Sequence, residues 1–156
     1  MALASVEAVP LFEDNYCWRI DVAATGATVC VDPADGPAVL ARLAATPAQA
    51  LRGVLTTHHH ADHSGGNAAL AAALPGLPVL GGAAEDGRIP AATHLVADGE
   101  IVELGGLRFE CMHTPCHTKG HVWRVPGARA RARACERSAL GATSGTRARG
   151  GAGSRS

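Results

Sequence analysis

The sequence predicts an α/β fold in which helices cover a layered sheet, and three observations predict it. Strand-like runs alternate with Ala/Leu-rich helical runs from Val6 to Cys111. Most of the strand-like runs are apolar on both sides, as in sheets buried between layers. The pattern stops near Val122, where the chain changes character.

Asn15–Val22 and Ala27–Val31 read as a strand pair joined by a turn at Ala24-Thr25-Gly26. Asp32-Pro33 ends the second strand, because proline has no N–H for the ladder. Gly36–Ala45 places Val39, Leu40 and Leu43 on one face of a helix that closes before Pro47. Leu51–Thr56 is a short buried strand followed by a histidine-rich loop. Ser64 or Asn67 is the expected cap of a helix over Ala68–Ala73, which stops before Pro75-Gly76. Leu77–Leu80, Glu100–Leu104 and Leu107–Met112 complete the strands.

The formal net charge of zero conceals a division. Residues 1–121 carry 13 acidic and six basic side chains, whereas residues 122–156 carry eight arginines and only Glu136. The expected organisation is therefore a domain over 1–127 and a low-complexity Ala/Arg/Gly/Ser tail over 128–156. The tail has too few large apolar residues to offset its ordering entropy and is expected to be disordered. Without aromatic residues to stack on bases, its arginines predict no specific nucleic-acid partner. The apolar stretches fall short of the roughly 20 residues of a membrane span. Met1–Leu11 lacks the basic, apolar or Arg-rich patterns of a leader. Five cysteines without regular spacing fit a reducing compartment, so a cytoplasmic location is expected ahead of a mitochondrial one.

The chemistry is concentrated in Thr57-His58-His59-His60-Ala61-Asp62-His63-Ser64-Gly65-Gly66-Asn67. Four histidines and an aspartate follow directly on a buried strand, where alternate side chains can splay toward a common point. His58 and His60 can then face one metal ion, with Asp62 and His63 turned toward a second. Imidazole and carboxylate are ligands for Zn²⁺ and also suit Fe or Mn. A terminal purification tag would lack the internal aspartate and the Gly-Gly pair. A second cluster, His113-Thr114-Pro115-Cys116-His117-Thr118-Lys119-Gly120-His121, offers His117 as a further ligand of the first ion. His113 and His121 read as packing or supporting residues, and His94 as structural.

These motifs resemble the glyoxalase II (hydroxyacylglutathione hydrolase) family of the metallo-β-lactamase superfamily. The resemblance rests on His58-His59-His60-Ala61-Asp62-His63, on the longer Thr57–Asn67 string, on Asp14-Asn15-Tyr16 and on Thr114-Pro115-Cys116-His117-Thr118 with Gly120-His121. Val31-Asp32-Pro33 fits an early aspartate that braces the metal loop. The resemblance covers residues 6–125. It implies the first half of an αββα sandwich, His58, His60 and His117 on metal one, and Asp62 and His63 on metal two. The implied activity is metal-dependent hydrolysis of a small-molecule glutathione thioester, S-D-lactoylglutathione, to glutathione and D-lactate. His59 and Cys116 lie in the motifs without being ligands.

The family continues to a Gly-Asp-Thr segment whose aspartate bridges the metals, a Gly-His-Glu segment and a helical glutathione-binding domain. Residues 122–156 contain neither Asp nor His, so three imidazoles are expected at site one and only two protein ligands at site two. The abrupt change to Ala/Arg/Gly/Ser text is what a shifted reading frame in GC-rich DNA would produce. Alternative readings are a non-catalytic metal-binding remnant or isoform, or another superfamily enzyme such as a persulfide dioxygenase. The sequence does not specify an oligomeric state.

Overall fold

A computed structural model describes residues 4–126, with the side chains described through Val122. The expected 128–156 tail lies outside the described residues. β1 (Ala4–Leu11), β2 (Asn15–Val22) and β3 (Ala27–Val31) form an antiparallel meander. β4 (Ala50–Leu55), β5 (Val79–Gly82) and β6 (His94–Val96) add to β3 in parallel, giving a six-stranded sheet in sequence order. β7 (Ile101–Leu104), β8 (Leu107–His113) and β9 (Val122–Pro126) form a second, antiparallel sheet.

The centre of the large sheet is buried on both faces by different partners. On one face, Cys30, Val54 and Val79 pack with Val39 of α1 (Gly36–Ala44) and Leu70 of α3 (Asn67–Ala73). On the other, Ile20, Val29, Leu55, Leu80 and Val96 meet Val102, Leu104, Phe109 and Cys111 of the small sheet. The layer order is therefore helix, sheet, sheet, the expected α/β arrangement. Two fully buried faces explain the continuous apolar character of β3 and β5. β2 has a mixed pattern: Tyr16 and Trp18 share the face of Ile20 but stay exposed, with Trp18 lining a cavity beside Ile20, Phe109 and His121.

α1 begins where Asp35 accepts the Ala38 N–H and Pro37 occupies the first turn, and Arg42 lies in the last turn. α3 begins differently from the expectation. Its cap is Gly66, and no side chain caps it. Ser64 instead donates to the His59 and His60 carbonyls, and Asn67 donates to Thr56 Oγ1. Both polar residues therefore fasten the histidine loop rather than start the helix. A further short helix, α2 (Ala61–Ser64), lies within that loop.

The Gly65-Gly66 pair has a packing reason. A Cβ on Gly66 would lie 2.1 Å from the Pro33 carbonyl oxygen and 2.5 Å from the Gly36 nitrogen. Both are backbone atoms, which cannot move aside as a flexible side chain would. Gly66→Ala should therefore destabilise the chain by about 3 kcal/mol or more, at the upper end of overpacking costs. Thermal melting should separate it from Gly76→Ser, whose Cβ meets nothing within 4 Å and whose cost is backbone strain at φ +84°. Equal melting temperatures for Gly66→Ala and the parent would contradict this account.

The described cysteines are all free: Cys17, Cys30 and Cys111 are buried and Cys116 is exposed. Among the described residues, no helix is long and apolar enough to cross a membrane.

Candidate metal centre

The histidine loop leaves the C-terminal end of β4, between parallel neighbours β3 and β5. Its first turn is fixed by Asp32, which ends β3 in a left-handed conformation, φ +53°, and is nearly buried. Asp32 Oδ1 accepts the Thr57 N–H at 2.7 Å. Its Oδ2 accepts the Thr57 hydroxyl at 2.7 Å and faces His63 Nδ1 at 3.0 Å. One carboxylate thus organises both ends of the motif.

This arrangement also selects the tautomer of His58. Thr57 has a single hydroxyl proton, and it is committed to the Asp32 carboxylate. The 2.9 Å contact between Thr57 Oγ1 and His58 Nδ1 must then use an Nδ1 proton, leaving Nε2 of His58 as a bare lone pair. That Nε2 is buried and makes no hydrogen bond. Orphaned buried nitrogens are costly and rare, and a metal ion is the partner that would satisfy this one.

His58, His60 and His117 offer donor atoms within 4.8 Å of one another. Their ring centroids are 4.8 Å apart in each of the three pairs, with nearly perpendicular planes. His60 Nδ1 and His117 Nε2 lie 3.0 Å apart. Nitrogens bound to a tetrahedral zinc at about 2.0–2.1 Å would be separated by about 3.3 Å. The cluster therefore has the donor type and spacing for one ion with an open fourth position. This cluster is suited to a bound metal ion.

Asp62 and His63 lie beside the cluster. His63 Nε2 is 3.5 Å from Asp62 Oδ2, and its ring centroid is 4.2 Å from that of His58. Asn15 holds Asp62 by donating to its carbonyl at 2.6 Å and to its carboxylate at 3.2 Å, which ties the β1–β2 turn to the metal loop. Asp14-Asn15-Tyr16 therefore contributes through Asn15. His113 faces outward and meets the Lys119 carbonyl, and His94 meets Glu100. His121 lies with its ring centroid 5.2 Å from that of His58 and contacts Thr114, close behind the cluster.

The electrostatics follow from these contacts. Burial, reinforced by the neighbouring His63, pushes His58 down to about 4, keeping it neutral and available as a ligand. The hydrogen bond to Asp32 raises His63, whereas burial lowers His121. The Asn15 hydrogen bond holds the exposed Asp62 carboxyl below its usual value.

These shifts have opposite consequences for the metal-free chain. A raised His63 contributes stability that is present below about pH 6.5 and lost as pH rises through its folded value. A lowered His58 takes up its proton reluctantly, so stability falls as pH drops from about 6.5 to about 4, by roughly 3 kcal/mol if the whole shift is expressed. Stability without metal should therefore peak near pH 6.5. Melting at pH 5, 6.5 and 8 in chelator checks this, and His63→Gln should flatten the alkaline limb. A continued rise above pH 7 would contradict it.

Sequence reasoning missed Glu85. It is fully buried at the end of the 3₁₀ turn Ala83–Glu85 after β5 and accepts from Thr118 Oγ1 at 2.6 Å and from the Gly120 N–H at 3.2 Å. It also pairs with His59 Nδ1. Burial alone would raise its carboxyl, but the Thr118 and His59 hydrogen bonds prevail and hold it below the usual value. A cleft of about 550 Å³ opens beside His60 and His117, with Arg88, Cys116 and Lys119 on its walls.

No family model matches the chain. It is 47% identical over 120 residues to the hydroxyacylglutathione hydrolase of Pseudomonas aeruginosa, a match covering 77% of this chain and 45% of that protein. The chain thus spans about half the length of the curated relatives it matches. Among solved structures, the BLEG-1 B3 metallo-β-lactamase superposes with a TM-score of 0.69 at 23% identity, covering 78% of this chain and 67% of that one, a likeness of fold. TTHA1623 in a di-iron-bound form matches with a TM-score of 0.60 at 27% identity, covering 77% of this chain and 66% of that one.

Proposed function

We propose, from the premise that this chain belongs to the hydroxyacylglutathione hydrolase family of the metallo-β-lactamase superfamily, that it carries the metal-binding half of a glutathione thioester hydrolase. The substrate on this reading is S-D-lactoylglutathione and the products are glutathione and D-lactate. The observation that carries it is the convergence of His58, His60 and His117, with Asp62 and His63 adjacent, in a loop whose string matches the family's. His58, His60 and His117 would hold metal one, and Asp62 and His63 would contribute to metal two. Zinc is the proposed ion on the imidazole-rich donor set, although iron and manganese accept the same ligands.

A bound ion of this kind lowers the pKa of water and stabilises the charge that develops on a carbonyl oxygen. The chain's residues prepare the site for that chemistry. Asp32 and Thr57 keep His58 in the Nδ1–H tautomer, so Nε2 faces the site unprotonated. Asp32 also faces Nδ1 of His63, leaving that residue's Nε2 on the side of Asp62. Asn15 restrains the Asp62 carboxylate. The cleft beside His60 and His117 gives a thioester an approach, and Arg88 and Lys119 supply positive charge for an anionic substrate. The cytoplasm is the proposed location, on the cysteine usage.

The experiment joins residues 1–122 to the second half of the Pseudomonas aeruginosa relative and follows loss of S-D-lactoylglutathione by absorbance. Hydrolysis that disappears with His58→Ala is the expected result, while the 156-residue chain alone stays near the metal-ion background. A folded, metal-loaded chimera without activity would overturn the substrate assignment. Turnover of about one per second or faster by the chain alone, typical of a complete enzyme, would overturn the view that it carries only part of the site.

A further inference from the structure

We infer that Glu85 is a positioning residue for the metal site, its two carboxylate oxygens tying the loop of His58 and His60 to the loop of His117 so that three imidazoles converge before an ion arrives. The inference rests on the reading that these imidazoles hold one ion. It adds a residue that lies outside the histidine motifs and far from them in sequence.

The division of labour between the oxygens supports it. Oε1 serves only the third-motif loop, accepting from Thr118 Oγ1 and Gly120 N, on either side of Lys119 and directly after His117. Oε2 serves the metal loop through His59, which stands between His58 and His60, and it also has Arg88 Nη1 4.0 Å away. The carboxylate is fully buried. Burying a charge is unfavourable unless it is well paired, and here the pairing is with both loops at once.

The His59 contact has a fixed sense. Arg88 Nη2 lies 2.6 Å from His59 Nε2, and a guanidinium can only donate, so Nε2 accepts and Nδ1 carries the proton given to Glu85. Arg88, His59 and Glu85 thus form a directed chain that locks the ring between two proposed ligands. The backbone is shaped around the same carboxylate. A Cβ on Gly120 would lie 2.5 Å from Glu85 Cγ and 2.7 Å from the Ala84 carbonyl carbon, and one on Gly82 would lie 2.4 Å from the Gly120 oxygen. Glycine at both places lets the third loop press directly onto the turn that bears Glu85.

Glu85→Gln separates positioning from a purely structural role. Its oxygen can still receive Thr118 and Gly120, but its amide N–H would face the Nδ1–H of His59. His59 must then turn away or take the other tautomer, whose Nε2–H would oppose Arg88. In the full chain, zinc affinity measured against a chromogenic chelator should weaken by roughly tenfold or more, in the range for residues that orient metal ligands. Imidazole ¹⁵N spectra of the metal-free chain should show His59 as the Nδ1–H form in the parent and not in the variant. A zinc Kd within about twofold of the parent, with lowered melting temperature alone, would make Glu85 merely structural and overturn the inference. If Glu85→Gln does not fold, Thr118→Val removes the shorter of the two third-loop contacts and leaves the Gly120 N–H and His59 in place. It should still weaken zinc binding severalfold, and an unchanged Kd would overturn the inference. A parent chain that binds no zinc would instead overturn the metal reading beneath it.

Discussion

Replacing His58 or His117 with alanine is expected to strip the chain of most of its bound metal. Each change deletes one of three imidazoles whose donor atoms lie within 4.8 Å of one another. Structural zinc in small domains is held by about 10–16 kcal/mol through four ligands, so one ligand corresponds to roughly 3–4 kcal/mol, or two to three powers of ten in affinity. His58→Ala should be at the severe end, because its Nε2 is buried and waits without a hydrogen-bond partner, whereas His117 is exposed. Asp62→Ala should change the metal content little, since Asp62 lies on the side of His63, where the proposed second site has two protein ligands. Elemental analysis of the purified variants reads this directly. Equal loss in all three would mean that one shared ion spans both sites.

Asp32→Asn should come next in size, although Asp32 is not a proposed ligand. The carboxylate accepts three contacts, from the Thr57 N–H, the Thr57 hydroxyl and His63. An asparagine can still accept the N–H, but its amide would donate toward Thr57 Oγ1. The Thr57 proton would then turn to His58 Nδ1, forcing that ring into the Nε2–H form, which presents no lone pair to a metal. Weakening of zinc binding by roughly 10–100-fold is expected. Leaving His63 without its carboxylate should cost a further few kcal/mol of stability. Zinc competition and thermal melting on one preparation separate the two effects, and unchanged affinity would contradict the tautomer argument.

The residues of the site were more legible than the support beneath them. Strands β2 and β3 lie where hydrophobic patterning and the Gly26 turn put them, because local turn chemistry and burial point the same way. The helix over Gly36 also matched within one residue, since Asp35 and Pro37 are strong start signals. β6 is only three residues long, and Ala4–Leu11 is exposed along most of its length. Neither carries a periodic apolar signal, and both exist by pairing with a neighbour. Ser64 and Asn67 have the residue types of caps but are drawn into tertiary hydrogen bonds that no local pattern encodes. Glu85 was illegible for the same reason: its hydrogen-bond partners lie 26 to 35 residues away in sequence, and a lone glutamate after Gly-Gly-Ala-Ala reads as surface. The one available signal was Gly120, a glycine placed where a backbone must approach closely. The spacing of the histidine motif, by contrast, needs no tertiary knowledge, because one short loop brings His58, His60, Asp62 and His63 into one neighbourhood.

The most direct measurement is anomalous diffraction at the zinc edge from crystals of the full chain grown with one equivalent of zinc. The account predicts a single strong peak bonded to His58, His60 and His117, with Nε2 as the donor from His58. A peak held by Asp62 and His63 with the three imidazoles unengaged, or two peaks of equal strength, would contradict it.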